Sequence, residues 1–300
     1  MNANVEIHTT DLMEPCPRRV QLRLEGKRIG ETTSALMFGQ VWHEARAACY
    51  AAGVWDEFRS AGILIDAWAR CEAENAKNRQ PISDAVRKNE TTTKAEIARL
   101  LASYGERVAS RVHRLIGCEL PIRCAVVVDG ECVEFASHLD VLFRDSAGRL
   151  VLDDDKTGDE SPCMDYLRRN KQLAMYAYAI RHGTVWLEGE PVEFGEWPVV
   201  NWVQVDALKT YGRKTTVKEV DFASGELLER VYEKGEARPL DRIVMQAPIH
   251  ESRSASILAD FADHVRMRRA GLMPAIPDKQ GCRLCESRSF CASYQEEGQR

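Results

Sequence analysis

The sequence predicts an α/β fold in which a mixed β-sheet is flanked by helices and preceded by a helical segment of about 80 residues. Two changes along the chain indicate this. Residues 34–117 are rich in alanine and charged residues at helical spacing and contain one proline, Pro81. From Leu120 onwards, short apolar runs rich in β-branched residues alternate with turn signals. With 300 residues, 44% of them hydrophobic, the chain can bury a sizeable core.

The composition limits the class of protein. The net charge is −5, whereas proteins that coat duplex nucleic acid non-specifically are strongly basic, so any contact with nucleic acid must come from local basic patches. No run approaches the roughly 18 apolar residues of a membrane helix. The first residues also lack the basic-then-apolar pattern of a secretory signal. We therefore expect a cytoplasmic protein with no membrane partner.

The first third of the chain is expected to be helical after a short, basic, proline-containing stretch at 10–30. Apolar spacing predicts three helices, at about 34–52, 58–78 and 92–116. The polar run Asn89–Thr93 is expected to form a turn and a helix cap before the third of them.

The sheet is expected to follow this helical segment. Ile122–Val128 is predicted to be a strand that ends at Asp129-Gly130, a strong hairpin signal. Further strands are predicted at 131–144, 149–155, 199–205 and 215–220. Helices are predicted from Ser161-Pro162 to 182 and over 254–270, where Gly271 ends the second one.

The hairpin of strands 131–144 and 149–155 carries the most informative residues. Three consecutive carboxylates, Asp153, Asp154 and Asp155, stand at the end of an apolar strand and are followed by Lys156. Such a run beside a core is tolerated most easily if a cation is bound there. Because side chains alternate along a strand, Asp154 and Lys156 share one face, while Asp153 and Asp155 point the other way.

The turn of this hairpin predicts which residues face each other. Ser146-Ala147-Gly148 fits a three-residue loop with glycine in the left-handed conformation. Closing it with Asp145 opposite Arg149 places Asp140 directly across from Asp154. A two-residue turn would oppose Asp140 to Asp153 and turn it away from Lys156. We prefer the first register because it explains the glycine.

Two facing carboxylates and a neighbouring lysine suit metal-assisted phosphodiester hydrolysis. Carboxylate oxygens hold Mg²⁺ or Mn²⁺, which polarises the phosphate and lowers the pKa of a bound water. A lysine such as Lys156 can orient or deprotonate that water and stabilise negative charge. The alternative interpretation of the hairpin is a solvated acidic turn with a salt bridge.

These residues belong to an ordered series of motifs that resembles the PD-(D/E)XK nucleases, and more narrowly the RecB-type exonucleases. The likeness is greatest to the iron–sulfur branch, which includes the CRISPR-associated Cas exonucleases and the nuclease domain of the AddB helicase–nuclease subunit. The motifs, in chain order, are Cys16-Pro17-Arg18, the G-x-x-x-H of Gly39 and His43, Asp140, the D/E-x-K of Asp154-Asp155-Lys156, the Q-x-x-x-Y of Gln172 and Tyr176, and the triplet Cys282, Cys285 and Cys291. One departure is Asp155, where an aromatic residue is more usual.

The resemblance implies a restriction-endonuclease-like core and assigns roles to the motif residues. The implied catalytic residues are Asp140, Asp154, Lys156, Gln172 and Tyr176. The implied metal-site residues are His43, Asp140, Asp154 and Asp155, although the Asp155 side chain is expected to point away from the ion. The implied division of the chain is 1–33 with the first cluster cysteine, 34–117 carrying His43, 118–271 as the nuclease core and 272–300 as the cluster tail.

The resemblance further implies that Cys16, Cys282, Cys285 and Cys291 hold a [4Fe–4S] cluster that closes the chain into one compact unit. By ligand count, four thiolates suit Zn²⁺ equally well, so zinc remains the alternative occupant. In a reducing compartment the other six cysteines are most simply core thiols.

Two basic groups are candidates for contact with a phosphate backbone, with a solvated charged surface as the alternative for each. The first group is Arg18, Arg19, Arg23, Lys27 and Arg28, and the second is Arg107, Arg111 and Arg114. Trp42 and Trp55 are candidates for base stacking, although a core position is the more common one for tryptophan.

The resulting hypothesis is a metal-dependent DNA exonuclease that acts on single-stranded or free DNA ends. It would serve recombination, repair, phage DNA processing or CRISPR adaptation, with protein partners from those processes. The alternatives are a non-catalytic DNA-binding or adaptor subunit of a DNA-processing complex, and a zinc-stabilised protein of other chemistry.

Overall fold

The structure is a computed structural model of the chain. It describes residues 6–8, 16–25, 31–78, 80–157, 170–205, 214–220, 227–234, 241–246 and 251–271. The helices are α1 (Pro17–Leu24), α2 (Ser34–Ala52), α3 (Glu57–Lys77), α4 (Asp84–Arg107), α5 (Lys171–His182) and α6 (Glu251–Arg269), with a short 3-10 helix at Ala109–Arg111. The strands are β1 (Glu6–His8), β2 (Arg114–Val128), β3 (Glu131–Arg144), β4 (Leu150–Thr157), β5 (Thr184–Leu187), β6 (Glu190–Val192), β7 (Val199–Val205), β8 (Thr215–Val220), β9 (Leu227–Tyr232) and β10 (Asp241–Gln246).

The first two long helices lie where their apolar spacing predicts them, with side-chain caps that the sequence supplies. The Thr33 side chain accepts a hydrogen bond from the N–H of Leu36 at the start of α2, and Gly53 ends that helix in the left-handed conformation (φ 64°). Asp56 caps α3 in the same way through the N–H of Arg59. These caps satisfy backbone groups that a helix end leaves without intrahelical partners.

The third predicted helix differs at both ends. It spans Asp84–Arg107 instead of 92–116, so Asn89–Thr93 forms its middle and the predicted turn there is wrong. The low helix propensity of these polar residues costs only tenths of a kcal/mol each. Burial of Val86, Ile97 and Leu100 against the other helices outweighs that cost. At its end, the chain enters β2 from Arg114, eight residues earlier than the predicted strand.

The main sheet is mixed and has seven strands in a row, in the order β10-β7-β4-β3-β2-β5-β6, with β1 paired to β3. Neighbouring strands are antiparallel except for the parallel pairs β4–β7 and β1–β3. The predicted strands at 131–144, 199–205 and 215–220 are confirmed. At the β2–β3 turn, Asp129 and Gly130 both have positive φ, as the hairpin signal requires.

Helices cover both faces of this sheet. The side chains of Leu142 and Leu152 enter the core beneath α5 and α6. Their strand neighbours Val141 and Val151 point to the opposite side, where α2, α3 and α4 pack. This mixed α/β sheet flanked by helices confirms the predicted fold class and is consistent with a restriction-endonuclease-like core.

The helix predicted from Ser161 to 182 is matched by α5 over 171–182. This helix begins after Asn170, whose side chain caps it by accepting a hydrogen bond from the N–H of Leu173. Residues 158–169, including Ser161, lie outside the described residues. Within the ranges that the structure does describe, no helix is both long enough and apolar enough to cross a bilayer.

Candidate metal-dependent active site

The β3–β4 hairpin has the register that Gly148 predicts. Val141 pairs with Asp153 and Leu142 pairs with Leu152, which places Asp140 opposite Asp154. The N–H of Asp145 donates to the carbonyl of Arg149 at 3.1 Å, and Gly148 adopts φ 77°. Because glycine has no Cβ, it takes this conformation without steric penalty. The preferred three-residue loop is therefore confirmed.

Asp140 joins the two strands through its side chain. It is 8% exposed, and its Oδ2 accepts a hydrogen bond from the backbone N–H of Asp155 at 2.7 Å. Burial raises the pKa of Asp140, but the positive charges of His43, Lys156 and Arg46 outweigh burial and hold this pKa below its ordinary value. Asp140 is thus kept as an anion inside the protein.

Asp154 and Lys156 share one face of β4, as alternation predicts. The Lys156 Nζ donates to Asp154 Oδ1 at 2.9 Å and lies 2.8 Å from Oδ2. Burial raises the pKa of Asp154 to about 6; Lys156 opposes this rise and Asp140 adds to it. Burial lowers the pKa of Lys156, but Asp154 and Asp140 outweigh it, so the pKa of Lys156 is raised. Lys156 is therefore an ammonium cation in this arrangement.

His43 reaches the same place from α2. Its Nδ1 lies 3.1 Å from Glu119 Oε1 and 3.5 Å from Asp140 Oδ1. Burial lowers the pKa of His43, but Asp140 and Glu119 outweigh it and raise this pKa above the ordinary value. Gly39 lies one turn earlier on α2, and a Cβ there would approach Thr157 Oγ1 to 3.2 Å. The absence of a side chain at Gly39 lets the helix lie close to the end of β4.

The donor atoms gathered here fit a hard divalent cation. His43, Glu119 and Asp140 each offer one ligand atom, and these atoms all lie within 4.8 Å of one another. Carboxylate oxygens with an imidazole nitrogen suit Mg²⁺ or Mn²⁺. Beside this group, Asp154 Oδ2 is buried and receives no hydrogen bond of good geometry, although Lys156 Nζ is near it. A cation would compensate the concentrated negative charge.

The carboxylate of Asp155 points to the opposite face of β4. It accepts hydrogen bonds from Trp42 Nε1 at 3.1 Å and Arg46 Nη1 at 2.5 Å, and lies 3.5 Å from the Tyr104 hydroxyl. All three partners belong to the helical side of the sheet. Asp155 is therefore not part of the ligand set proposed below, in agreement with the expected direction of its side chain.

Asp153 has a similar buried position two residues earlier. Its Oδ2 accepts from Arg111 Nη2 at 2.6 Å, and its Oδ1 accepts from Asn201 Nδ2 at 2.7 Å. Of the three consecutive carboxylates, Asp154 alone therefore faces Asp140 and Lys156.

The Q-x-x-x-Y residues lie at the edge of the same site. Gln172 Nε2 donates to the Tyr176 hydroxyl at 2.9 Å, and this hydroxyl lies 3.2 Å from Ser137 Oγ. Burial raises the pKa of Tyr176, and the charges of Asp154 and Asp140 raise it further. Tyr176 is thus a neutral, hydrogen-bonded phenol on the α5 side of the acidic pair.

The family comparison agrees with this geometry. A family model described as "PD-(D/E)XK nuclease superfamily" matches residues 9–292. The chain belongs to the PD-(D/E)XK nuclease superfamily. Membership implies a nuclease that uses divalent metal ions, with DNA as its substrate.

This PD-(D/E)XK chain was also compared with solved structures and with curated protein sequences. A solved structure titled "Crystal structure of SSO0001" aligns with 98% of this chain and 89% of its own chain, at 13% identity and a TM-score of 0.41. Comparison with curated protein sequences gives no match.

Sequence patterns missed two residues of this PD-(D/E)XK site. Glu119 precedes the strand as it was predicted, and no motif includes it, so its place beside His43 and Asp140 was not foreseen. Arg46 was also missed, although its position three residues after His43 puts both on one face of α2. That helical spacing is the signal that could have found it.

Of the four cysteines that the resemblance assigns to a cluster, Cys16 is the one within the described part of the chain. Cys16 directly precedes α1 and is partly exposed. The other three proposed ligands, Cys282, Cys285 and Cys291, lie outside the described residues.

The predicted helix at 92–116 would place Arg107, Arg111 and Arg114 together on one helix, and this placement is wrong. Arg107 ends α4, Arg111 is in the 3-10 helix and Arg114 begins β2. Because Arg111 makes an ion pair with the buried Asp153, its charge compensates that carboxylate. In the other basic group, Lys27 and Arg28 lie outside the described residues. Trp42 is wholly buried, so it has a core position and does not stack on bases.

Proposed function

We propose that this PD-(D/E)XK nuclease is a metal-dependent DNA exonuclease that degrades single-stranded or free DNA ends. The observation that carries the proposal is the convergence of Asp140, Asp154 and Lys156 from one hairpin with His43 from α2. A solvated acidic turn, the alternative interpretation, does not account for Asp154, which is wholly buried.

The proposed ligands of the divalent ion are His43, Asp140 and Asp154, with Glu119 as an additional ligand that no motif indicated. When bound, Mg²⁺ or Mn²⁺ would polarise the scissile phosphate and lower the pKa of a water molecule. Asp140 is suited to this because its charge is maintained in a buried position. The N–H of Asp155 fixes one oxygen of that carboxylate and leaves the other toward His43.

Lys156 is proposed to act on the phosphate as a cation. Its side chain is 30% exposed, while that of its partner Asp154 is buried. The ammonium group can therefore donate to a phosphate oxygen at the surface of the site while it remains paired to Asp154. Stabilising charge that develops in the transition state is a major source of catalysis. The raised pKa of Lys156 favours this role over removal of a proton from water.

Gln172 and Tyr176 are proposed to line the approach of the DNA strand. Tyr176 is 4% exposed, so it can touch the reacting groups only from beneath. Gln172 is partly exposed and donates one amide hydrogen to Tyr176. Its other amide hydrogen and its amide oxygen can contact a phosphate or a base. The Q-x-x-x-Y spacing thus joins Gln172, at the surface, to the buried Tyr176 by a hydrogen bond.

The proposed preference for strand ends rests on the resemblance to RecB-type exonucleases, and the position of α2 beside the site is compatible with it. The side chains of His43 and Glu119 are 28% and 38% exposed, and α2 covers one side of the acidic pair. In this proposal the helix that carries His43 leaves room for a single threaded strand. The net charge of −5 likewise argues against a broad surface for duplex DNA.

The RecB-type assignment, with its iron–sulfur cluster, is a further part of the proposal. The C-x₂-C-x₅-C spacing of Cys282, Cys285 and Cys291 supports it, together with Cys16 directly before α1. Four thiolates would join the two ends of the chain and close a very long loop. Iron and sulfide analysis with an absorbance scan near 400 nm tests it; zinc without iron or sulfide would contradict it. Recombination, repair, phage DNA processing and CRISPR adaptation are the processes in which such an enzyme and its protein partners would work.

The experiment that tests the proposal is a cleavage assay on single-stranded DNA with each end blocked in turn, and on a circular strand. We expect Mn²⁺-dependent cleavage of open ends, no cleavage in excess EDTA and none of the circle. Lys156→Ala should be inactive while it remains folded. DNA binding without turnover in Mn²⁺ would favour the non-catalytic adaptor instead, and activity in EDTA would contradict metal dependence.

A further inference from the structure

Arg46 lies beneath the candidate metal site and is wholly buried. It is on α2, three residues after His43. Its Nη1 donates to Asp155 Oδ2 at 2.5 Å. Its Nη2 donates to Glu119 Oε1 at 2.5 Å and to the backbone carbonyl of Asp140 at 3.0 Å. One guanidinium therefore contacts three acidic residues on three different strands, β2, β3 and β4.

The two arms of Arg46 contact groups of different kinds. The Nη1 arm binds Asp155, whose carboxylate points away from the site. The Nη2 arm binds Glu119 and the backbone of Asp140, which are two of the three residues whose ligand atoms lie within 4.8 Å of one another. Because a guanidinium is planar and rigid, fixing one arm fixes the direction of the other.

We propose that Arg46 is a positioning residue for the divalent ion: anchored by Asp155, it holds the Glu119 carboxylate and the Asp140 backbone where the ion binds. This inference rests on the proposed function. It assigns a purpose to the acidic middle residue of the D-x-K motif, since Asp155 is the group that anchors Arg46. Trp42 Nε1 donates to the same Oδ2 atom of Asp155 and so holds the anchor in place.

The charges around Arg46 explain why such a residue is needed. Glu119, Asp140, Asp154 and Asp155 bring four carboxylates into one region, and like charges at short distance repel each other. A buried cation among them offsets this repulsion before an ion binds. Groups behind metal ligands commonly change metal affinity by about 10- to 100-fold when they are mutated, so this magnitude is expected for Arg46.

The chain contains a matched control for the test. Arg111 and Asp153 form a second ion pair on the same face of β4, with a 2.6 Å contact. The guanidinium of Arg111 also lies over the ring of Phe143. Removing this pair takes away an ion pair of the same kind at a neighbouring position of β4.

Two variants separate positioning from a general structural role. Arg46→Met/Asp155→Asn removes both charges of the anchor pair, so no buried charge is left without its partner. Arg46→Lys keeps a positive charge beside Asp155, but an ammonium group cannot span both sets of acceptors. The control is Arg111→Met/Asp153→Asn. Circular dichroism and thermal unfolding establish that each full-length variant is folded.

The measurement is a Mn²⁺ titration followed by the electron paramagnetic resonance signal of unbound Mn²⁺. We expect Arg46→Lys and Arg46→Met/Asp155→Asn to bind Mn²⁺ about 10- to 100-fold more weakly than the wild type. The control should bind within about 3-fold of it and stay folded, because both charges of its pair are removed together. Equal affinity in the wild type and in either folded Arg46 variant would overturn the inference, and so would an equal loss in the control. A wild-type protein that binds no Mn²⁺ would instead overturn the proposed function.

Discussion

The Oδ2 atom of Asp140 accepts a hydrogen bond from the backbone N–H of Asp155 at 2.7 Å. This bond ties the first acidic residue of the site to the strand that carries the D-x-K motif. Asp140 therefore has two roles. One carboxylate oxygen stabilises the hairpin through this hydrogen bond, and the other lies toward His43.

Asp140→Asn should separate these two roles, because it keeps the hydrogen bond and removes the negative charge. The amide oxygen of asparagine can still accept the hydrogen bond from Asp155, so the protein should remain folded. Loss of the charge should lower Mn²⁺-dependent cleavage at least about 100-fold. Asp140→Ala should additionally lose about 1–2 kcal/mol in the free energy of unfolding, because the bond itself is lost. Urea unfolding and a cleavage assay measure the two effects; wild-type cleavage by the asparagine variant would rule out Asp140 as a ligand.

Gly39→Ala should impair the site through the position of α2. The added Cβ would lie 3.2 Å from Thr157 Oγ1, so the Thr157 side chain or α2 must shift by a few tenths of an ångström, and a shift of α2 moves His43. We expect cleavage to fall several-fold. The free energy of unfolding should change little, because the higher helix propensity of alanine, about 1 kcal/mol over glycine, offsets the cost of the close contact. Gly62→Ala on α3 is the control, since no atom lies within 4 Å of a Cβ there. Equal cleavage by the two variants would show that the close approach at Gly39 is unimportant.

Tyr176→Phe should weaken the contact between α5 and the site. It removes the hydroxyl that accepts from Gln172 and lies beside Ser137. The expected loss is about 1–2 kcal/mol in the free energy of unfolding, together with slower cleavage because Gln172 loses its partner. Tyr178→Phe on the same helix is the control; its ring packs on His182, with centroids 4.6 Å apart. If the two substitutions have the same effect on cleavage, Tyr176 has no special role.

Mn²⁺ should stabilise the wild-type protein against heat. A ligand that binds only the folded state adds about 2.7 kcal/mol at 100 times its Kd. Here the ion would also offset repulsion among Glu119, Asp140 and Asp154. We expect Tm to rise with Mn²⁺ and to return to its starting value when EDTA is added. In Asp154→Asn the rise should be much smaller, and an undiminished rise would place the stabilising ion elsewhere.

The hairpin shows how far local sequence patterns predict this site. Gly148 identified the loop, the loop set the register, and the register placed Asp140 opposite Asp154. Strand alternation then separated Asp154 and Lys156 from Asp155. Each step depends on residues that are close in sequence, and for that reason each could be predicted.

Contacts between distant parts of the chain were less predictable. Arg46 and Asp155 are 109 residues apart, and Arg46 and Glu119 are 73 apart. No spacing rule relates such positions, since tertiary packing alone brings them together. The turn predicted at Asn89–Thr93, in the middle of α4, was wrong for a similar reason. The local preference of these residues for a turn is worth less free energy than the burial of the apolar residues on either side of them.

Of the three consecutive aspartates, Asp154 is proposed to hold the divalent ion. Its role is tested by the single-turnover rate of Mn²⁺-dependent cleavage of end-labelled single-stranded DNA by Asp154→Asn and by Asp153→Asn. We expect a loss of at least about 100-fold for Asp154→Asn and a rate within several-fold of the wild type for the folded Asp153→Asn protein. Wild-type cleavage by Asp154→Asn would show that Asp154 does not take part in the reaction.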